Sequence, residues 1–238
     1  MAIHAGLSLG LEPHDAVTIA GTAELLHNVL LIHDDLQDRE QKRHGIDAVW
    51  AMFGDGIALY AGDLMLPAAY GALAGFSRSE ALPGLIALVH AAGGSAVLGH
   101  SVEAAALPTI DPRTGCYEAI AANKSGSLLS LPLELALVGK RQVSALPLAQ
   151  RASEAFALSS QIADDIKDVS SDAERQGTSN SSNSVLALKA AGLADEAVAE
   201  AGRIATRYLL TAATLAQGLP DGSGDLLKDL ALQNAATL

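Results

Sequence analysis

Three observations on the sequence predict an all-α fold. Alanine and leucine are in excess over β-branched and aromatic residues, with aromatics only 3% of the chain, a bias that favours helix over strand. Apolar residues recur at helical spacing over long stretches, as at Ile19, Ala23, Leu26 and Leu30. No alternating apolar–polar run exceeds what chance gives. Half of the 238 residues are hydrophobic, enough for a substantial core built of Ala, Leu, Val and Ile.

Residues 1–11 are apolar and helix-like, and read as the latter part of a helix whose start precedes them. Glu12-Pro13-His14-Asp15 is a break, with Asp15 the expected N-cap of a helix over residues 16–38. Residues 39–47 are charged, contain Gly45 and are expected to form a loop. A short helix near 48–53 and a longer one from 55 to about 75 follow. Residues 82–107 predict another long helix, whose Gly93, Gly94 and Gly99 cost stability unless they allow close packing. Asp111-Pro112 supplies the N-cap and first-turn proline of the next helix. Residues 123–139 are mostly apolar behind Lys124-Ser125. Pro147 opens a helix expected to end at Asp168 or Val169. Residues 170–184, rich in Ser, Asn, Asp and Gly, are expected to be a mobile loop. Helices near 193–215 and 226–236 close the chain. With no linker and no low-complexity tail, residues 1–238 read as one domain.

The chemistry concentrates in two acidic triplets. HDDLQD carries Asp34, Asp35 and Asp38, and QIADDIKD repeats the spacing with Asp164, Asp165 and Asp168. On a helix the first and last carboxylates of each triplet lie one turn apart on one face, with the middle one beside them. Three like charges within a turn repel, so the arrangement calls for a cation. Hard divalent ions suit carboxylate oxygen, and Mg2+ takes one or two carboxylates together with waters and phosphate oxygens. The residues therefore predict a helical protein that holds a diphosphate between two acidic clusters through Mg2+. The bland alternative is a pair of solvated acidic helix ends.

A net charge of −12 and an acidic pI argue against a nucleic-acid surface or an anionic-membrane binder. The single Cys116 rules out an internal disulfide and fits a reducing compartment. No charged and apolar leader opens the chain. Asp63 interrupts the apolar run 57–73 and Glu134 the run 128–138, so no membrane span is expected. The expected location is cytoplasmic.

The sequence resembles the trans-isoprenyl diphosphate synthase (polyprenyl synthetase) family from about His4 onward. ELLHNVLLIHDDLQD is similar to the family's first aspartate-rich motif, and FGDGIALYAGDLML to the block after it. NKSG at 123–126 is similar to its Lys-Thr element, and QIADDIKD to its second aspartate-rich motif. Four blocks in order are specific where a lone DDxxD is not. The resemblance implies an isoprenoid synthase-type helical bundle around a deep central cavity, usually a homodimer. It also implies three Mg2+ ions that hold the diphosphate of an allylic substrate. Ionisation of that substrate gives an allylic cation, attacked by isopentenyl diphosphate to yield a linear all-trans prenyl diphosphate.

Carried over by residue, the likeness gives Asp34 and Asp38 two metals and Asp164 the third. Asp35, Asp165 and Asp168 support them directly or through water. Arg43 takes the place of the arginine that grips the allylic diphosphate. Lys124 contacts the same group, with Ser125 where threonine is usual, and Gln161 and Lys167 line the site. His27 matches a histidine that binds isopentenyl diphosphate, and Asp63 is expected behind the ligands. Val29 and Leu30, a turn below Asp34, are expected to form the tunnel wall that sets chain length; their lack of aromatic rings predicts a product of C20 or longer. Trp50 and Cys116 are expected to be packing residues.

The chain departs from the pattern on the isopentenyl side. The GGKR element is expected before residue 1, the second arginine is His44, and the usual proline and histidine after the loop are Asp47 and Trp50. His100 and Glu103 replace the glutamine and aspartate of the GQxxD element, and no lysine lies between Lys167 and Lys189. Two further readings follow: an enzyme using the allylic diphosphate alone (a cyclase or lyase) or with a non-standard acceptor, and a non-catalytic partner subunit.

Overall fold

Ten α-helices, four single-turn 3-10 helices and one minimal hairpin account for the regular structure of the described residues, which in this computed structural model are 1–104, 126–176, 183–193 and 196–238. In chain order the α-helices and strands are α1 (Ala2–Ser8), α2 (Pro13–Asp38), β1 (Lys42–Arg43), β2 (Ile46–Asp47), α3 (Val49–Phe53), α4 (Asp55–Ala72) and α5 (Leu82–Ala104). After residues 105–125 come α6 (Ser127–Gly139), α7 (Leu146–Gln176), α8 (Ser184–Ala190), α9 (Ala197–Gln217) and α10 (Asp225–Ala235). The all-α expectation holds. By contacts the chain divides into two compact units, Met1–Gly93 with Leu131–Val143, and Gly94–Ser130 with Ser144–Leu238.

The first unit is organised by α2. Proline at its first position fixes the entry, so Glu12 rather than Asp15 occupies the N-cap. Asp15 is instead buried in the first turn, where it accepts a hydrogen bond from the Ser77 N–H at 2.8 Å. Close by, His14 Nε2 meets the Gly75 carbonyl at 2.9 Å. Ile19, Leu26, Val29 and Leu30 turn inward from α2, and Leu85 and Val89 from α5. Helix α6 is apolar apart from Ser127, Ser130 and Glu134, and Leu131, Leu133, Leu135 and Leu137 are all buried, as expected of a helix in the middle of a core. Gly139 and Gly84 are points of close approach. A Cβ on the first would lie 2.8 Å from Phe76 Cζ, and on the second 2.9 Å from Val138 Cγ1.

The second unit is built on the pairing of α7 with α9, flanked by α8 and α10. Leu158 and Ile162 of α7 pack with Val185 and Leu188 of α8 and with Ala201, Ile204 and Ala205 of α9. Leu209, Ala212 and Ala213 continue α9 onto Ala155 and Ala231. Alanine at the crossing positions lets these helices approach closely while still burying apolar surface.

Three expectations need correction. The loop after α2 is a β-hairpin. Helix α7 does not end at 169 but continues to Gln176, because nothing in 170–176 breaks a helix. Residues 184–190, where the sequence predicts the end of the loop at 184 and no helix before 193, form α8. The membrane reading also changes. By length and composition alone, Pro13–Asp38, Asp55–Gly75 and Ser79–Leu98 are long and apolar enough to cross a membrane, since one interrupting charge such as Asp63 leaves the mean hydropathy of a stretch high.

Candidate active site

Helix α2 delivers the first triplet at its C-terminal end. Arg39 terminates the helix in the left-handed region (φ 58°), and its N–H bonds the Asp35 carbonyl. The chain then reverses through β1 and β2, with Lys42 opposite Asp47 and Arg43 opposite Ile46. The two-residue turn, His44-Gly45, has positive φ at both positions (52° and 81°), the signature of a type I′ hairpin. This reversal folds Arg43 back over the end of α2. Its Nε donates to Asp35 Oδ1 at 2.8 Å, one terminal nitrogen contacts the same oxygen at 2.6 Å, and Asp34 Oδ2 lies 3.6 Å away.

Burial separates the three carboxylates. The Asp35 side chain is 7% exposed and Asp34 is 23% exposed. Asp38 is on the surface. The hydrogen bond to Asp35 raises the Arg43 pKa above its ordinary value, against desolvation and with help from the charges of Asp35, Asp34 and Glu40. Arg43 is therefore a fixed, oriented cation beside the cluster.

A second clasp, which sequence reasoning missed, holds this corner together. The Arg39 guanidinium donates to both Asp55 oxygens, at 2.8 and 2.9 Å, and lies over the Trp50 ring at 5.1 Å. Trp50 Nε1–H in turn donates to the Glu40 carbonyl at 2.8 Å. Further down, the His33 ring lies against Gly62 of α4. A Cβ there would overlap His33 Nε2 and come within 2.7 and 2.8 Å of Cε1 and Cδ2. Asp63, the other half of that Gly-Asp pair, is exposed. His27 is exposed two turns before Asp34, whereas Val29 and Leu30 are buried.

In the second unit α7 presents the other triplet with the same division. Asp164 is exposed and pairs with Lys167 at 2.8 Å, and Asp168 is also exposed. Asp164, chiefly through its hydrogen bond and then its charge, raises the Lys167 pKa. Asp165 is buried and taken up by the protein. It accepts from the Ser184 N–H at 2.8 Å and from Gln161 Nε2 at 3.2 Å. Lys124 and Ser125 lie outside the described residues, as do Cys116 and the side chains of His100 and Glu103.

Among the described residues no three His, Cys, Asp or Glu side chains converge into a cage for a metal ion. The donor chemistry fits Mg2+ all the same, since this ion needs only one or two carboxylates when phosphate and water complete its shell. Exposed Asp38, Asp164 and Asp168 and half-buried Asp34 can serve in that way, whereas the middle carboxylates, Asp35 and Asp165, are buried.

The family model described as polyprenyl synthetase matches residues 2–197. The chain belongs to the polyprenyl synthetase family. A (2E,6E)-farnesyl diphosphate synthase of Mycobacterium bovis is 49% identical over 61 residues, 26% of this chain and 17% of that protein. A short chain isoprenyl diphosphate synthase of Methanothermobacter thermautotrophicus is 27% identical over 178 residues, 74% of this chain and 55% of that enzyme. This chain thus aligns with only part of the length of both relatives. In fold it is similar to the geranylgeranyl pyrophosphate synthetase of Geoglobus acetivorans (TM-score 0.79, 20% identity, 97% of this chain and 83% of that one). It is equally similar to an FPP/GFPP synthase of Zymomonas mobilis (TM-score 0.79, 23% identity, 98% and 81%). The isoprenoid synthase fold expected from the sequence is shown.

Proposed function

We propose that this chain is a Mg2+-dependent prenyltransferase that condenses an allylic diphosphate with isopentenyl diphosphate to give a linear all-trans prenyl diphosphate, C20 or longer. The observation that carries the reading is the paired set of aspartate triplets, with Asp38, Asp164 and Asp168 exposed and Asp34 half-buried beside Arg43, within a chain of the polyprenyl synthetase family. Asp34 and Asp38 hold two Mg2+ ions and Asp164 a third. Asp35, Asp165 and Asp168 support them, the first two by fixing neighbouring chain. Arg43, Lys124, Ser125, Gln161 and Lys167 contact the diphosphate, and His27 contacts isopentenyl diphosphate. Bound Mg2+ supplies the positive charge that stabilises the leaving diphosphate as the allylic carbon–oxygen bond breaks. Arg43, aimed by Asp35, adds a preorganised cation at the same place. Apolar side chains around the tail exclude water from the allylic cation until the double bond of isopentenyl diphosphate attacks it. Val29 and Leu30 bound the space for the growing tail.

A second copy of the chain is the proposed partner. Met52, Phe53, Ile57, Leu59, Tyr60, Leu64 and Leu66 are all exposed along α3 and α4, a run that supports a homodimer. Sedimentation velocity returning a monomer at micromolar concentration would remove that part. The proposed location is cytoplasmic. One observation favours a second reading, in which the allylic diphosphate is the sole substrate. Where the family carries its second arginine, this chain has His44 in an exposed turn. Incubation with an allylic diphosphate and Mg2+, with and without isopentenyl diphosphate, separates the two. The proposal expects elongated product only in the presence of both, and a cyclic or eliminated product from the allylic substrate alone would overturn it.

A further inference from the structure

We infer that Asn183 is a positioning residue for the second aspartate triplet, an inference that rests on reading that triplet as metal-binding. Helix α7 runs two turns past Asp168, and α8 starts at Ser184 on the return of the chain. Asn183 sits at the start of that return, 1% exposed. Its Nδ2 donates to the backbone carbonyl of Asp165 at 2.8 Å and to Asp172 Oδ2 at 2.9 Å. Its Oδ1 accepts from the Val185 and Leu186 N–H groups at 3.0 and 3.3 Å and so caps α8. The next residue contributes its own N–H to Asp165 Oδ2 at 2.8 Å. Residues 183 and 184 together therefore grip both the backbone and the side chain of Asp165, with a further hold at Asp172, seven residues on along the same face of α7.

The consequence is rotational. Each residue turns a helix by about 100°, so the direction in which Asp165 faces decides where Asp164 and Asp168 point. The apolar contacts of Leu158 and Ile162 with Val185 and Leu188 hold α7 and α8 together, but they are not directional. The hydrogen bonds to Asp165 and Asp172 are directional, and they turn the middle carboxylate inward while leaving the outer two exposed. Capping alone does not require asparagine, since serine or aspartate caps a helix equally well. A serine hydroxyl has a single proton to give and a shorter reach, whereas the asparagine amide accepts at the cap through Oδ1 and donates to two acceptors on α7 through Nδ2.

That difference supplies the test, on the full chain. Asn183→Asp keeps the cap but points a carboxylate at Asp172 and at the Asp165 carbonyl. Asn183→Ser keeps the cap and loses the reach. Amide hydrogen exchange over residues 161–172 is expected to rise about tenfold in Asn183→Asp, the effect of one or two lost hydrogen bonds, with residues 13–38 unchanged. The Mg2+ concentration for half-maximal turnover is expected to rise by a similar factor. Pairing Asn183→Asp with Asp172→Asn exchanges amide and carboxylate, restores the donor–acceptor pair between 172 and 183 but not the bond to the Asp165 carbonyl, and is expected to recover part of both effects. Wild-type exchange in Asn183→Asp, or a swap that recovers nothing, overturns the inference. A wild-type protein that shows no Mg2+-dependent turnover would overturn the proposed function instead, and exchange would still decide whether Asn183 clamps α7.

Discussion

Replacing Asp35 by asparagine removes one negative charge while keeping the side chain's shape, and it separates two roles that the DDxxD pattern leaves joined. In the structure Asp35 is almost fully buried and grips Arg43 through two contacts, at 2.8 and 2.6 Å. Removing one partner of a buried pair costs about 3–5 kcal/mol. Arg43 is one-third exposed, so solvent compensates part of that loss, and the amide oxygen of asparagine still accepts one hydrogen bond. About 1–2 kcal/mol remains, close to one charge-assisted hydrogen bond. For a chain of this size that lowers the melting temperature by roughly 3–6 °C. Loss of the fixed orientation of Arg43 is expected to raise KM for the allylic diphosphate about tenfold, with a smaller effect on the Mg2+ requirement. Asp38→Asn is the counterpart. The side chain is exposed, so its melting temperature should stay within about 1 °C, while kcat falls by about 100-fold or more at fixed Mg2+. Thermal melts and steady-state kinetics over a Mg2+ series give both readouts. If Asp35→Asn melts like wild type and loses Mg2+ affinity as Asp38→Asn does, then Asp35 is a ligand and the argument from burial is wrong.

Three other outcomes are expected. The bidentate Arg39 contact, through its hydrogen bond and then opposed by desolvation, holds Asp55 below the ordinary carboxylate value of 3.8. A depressed carboxylate contributes stability above its unfolded pKa and loses it as pH falls through the lower folded one. The emission of Trp50, the one tryptophan in the chain, should therefore hold steady from neutral pH down to about 4 and change only below that; Asp55→Asn should show the changed emission at neutral pH. Gly62→Ala drives a methyl into the His33 ring and should cost about 1–3 kcal/mol of stability, with His33→Ala in the same chain returning part of it; a Gly62→Ala melt equal to wild type would show that α2 and α4 separate without cost. Val29→Phe adds bulk to a buried position and should shift products to shorter chains as well as lowering the melting temperature; chromatography showing an unchanged product length would remove Val29 from the tunnel wall.

The parts of this architecture that were legible in the sequence are those set by local periodicity. The span of α2, the spacing of both triplets and the helices near the C-terminus follow from apolar residues recurring every three or four positions. What was not legible depended on distant partners or on segments too short to show a period. Asp15 looked like a cap, but its carboxylate is taken by the N–H of Ser77, 62 residues away. Strands of two residues cannot display alternation, so only the His44-Gly45 pair marked the hairpin that carries Arg43. The Ser- and Asn-rich composition around residue 183 suggested a loop, yet Asn183 there is a buried cap and Val185, Leu186 and Leu188 are core. The triplets themselves gave no sign that the middle carboxylate of each is spoken for within the protein. That depends on Arg43 and Ser184, which reach Asp35 and Asp165 from elsewhere in the chain.

The order in which the first unit's pieces are made constrains its birth. Lys140 donates to the Gly10 carbonyl at 2.6 Å, and the buried α6 belongs with residues made far earlier. A ribosome takes roughly 3–10 s to add the ~50 residues between Gly93 and Val143. Throughout that interval the first unit lacks residues 131–138, eight positions of which Leu131, Leu133, Leu135 and Leu137 are buried in it. Nascent chains halted before residue 131 should accordingly be captured by chaperones and cut readily by proteases, and those released after residue 143 has emerged should resist both.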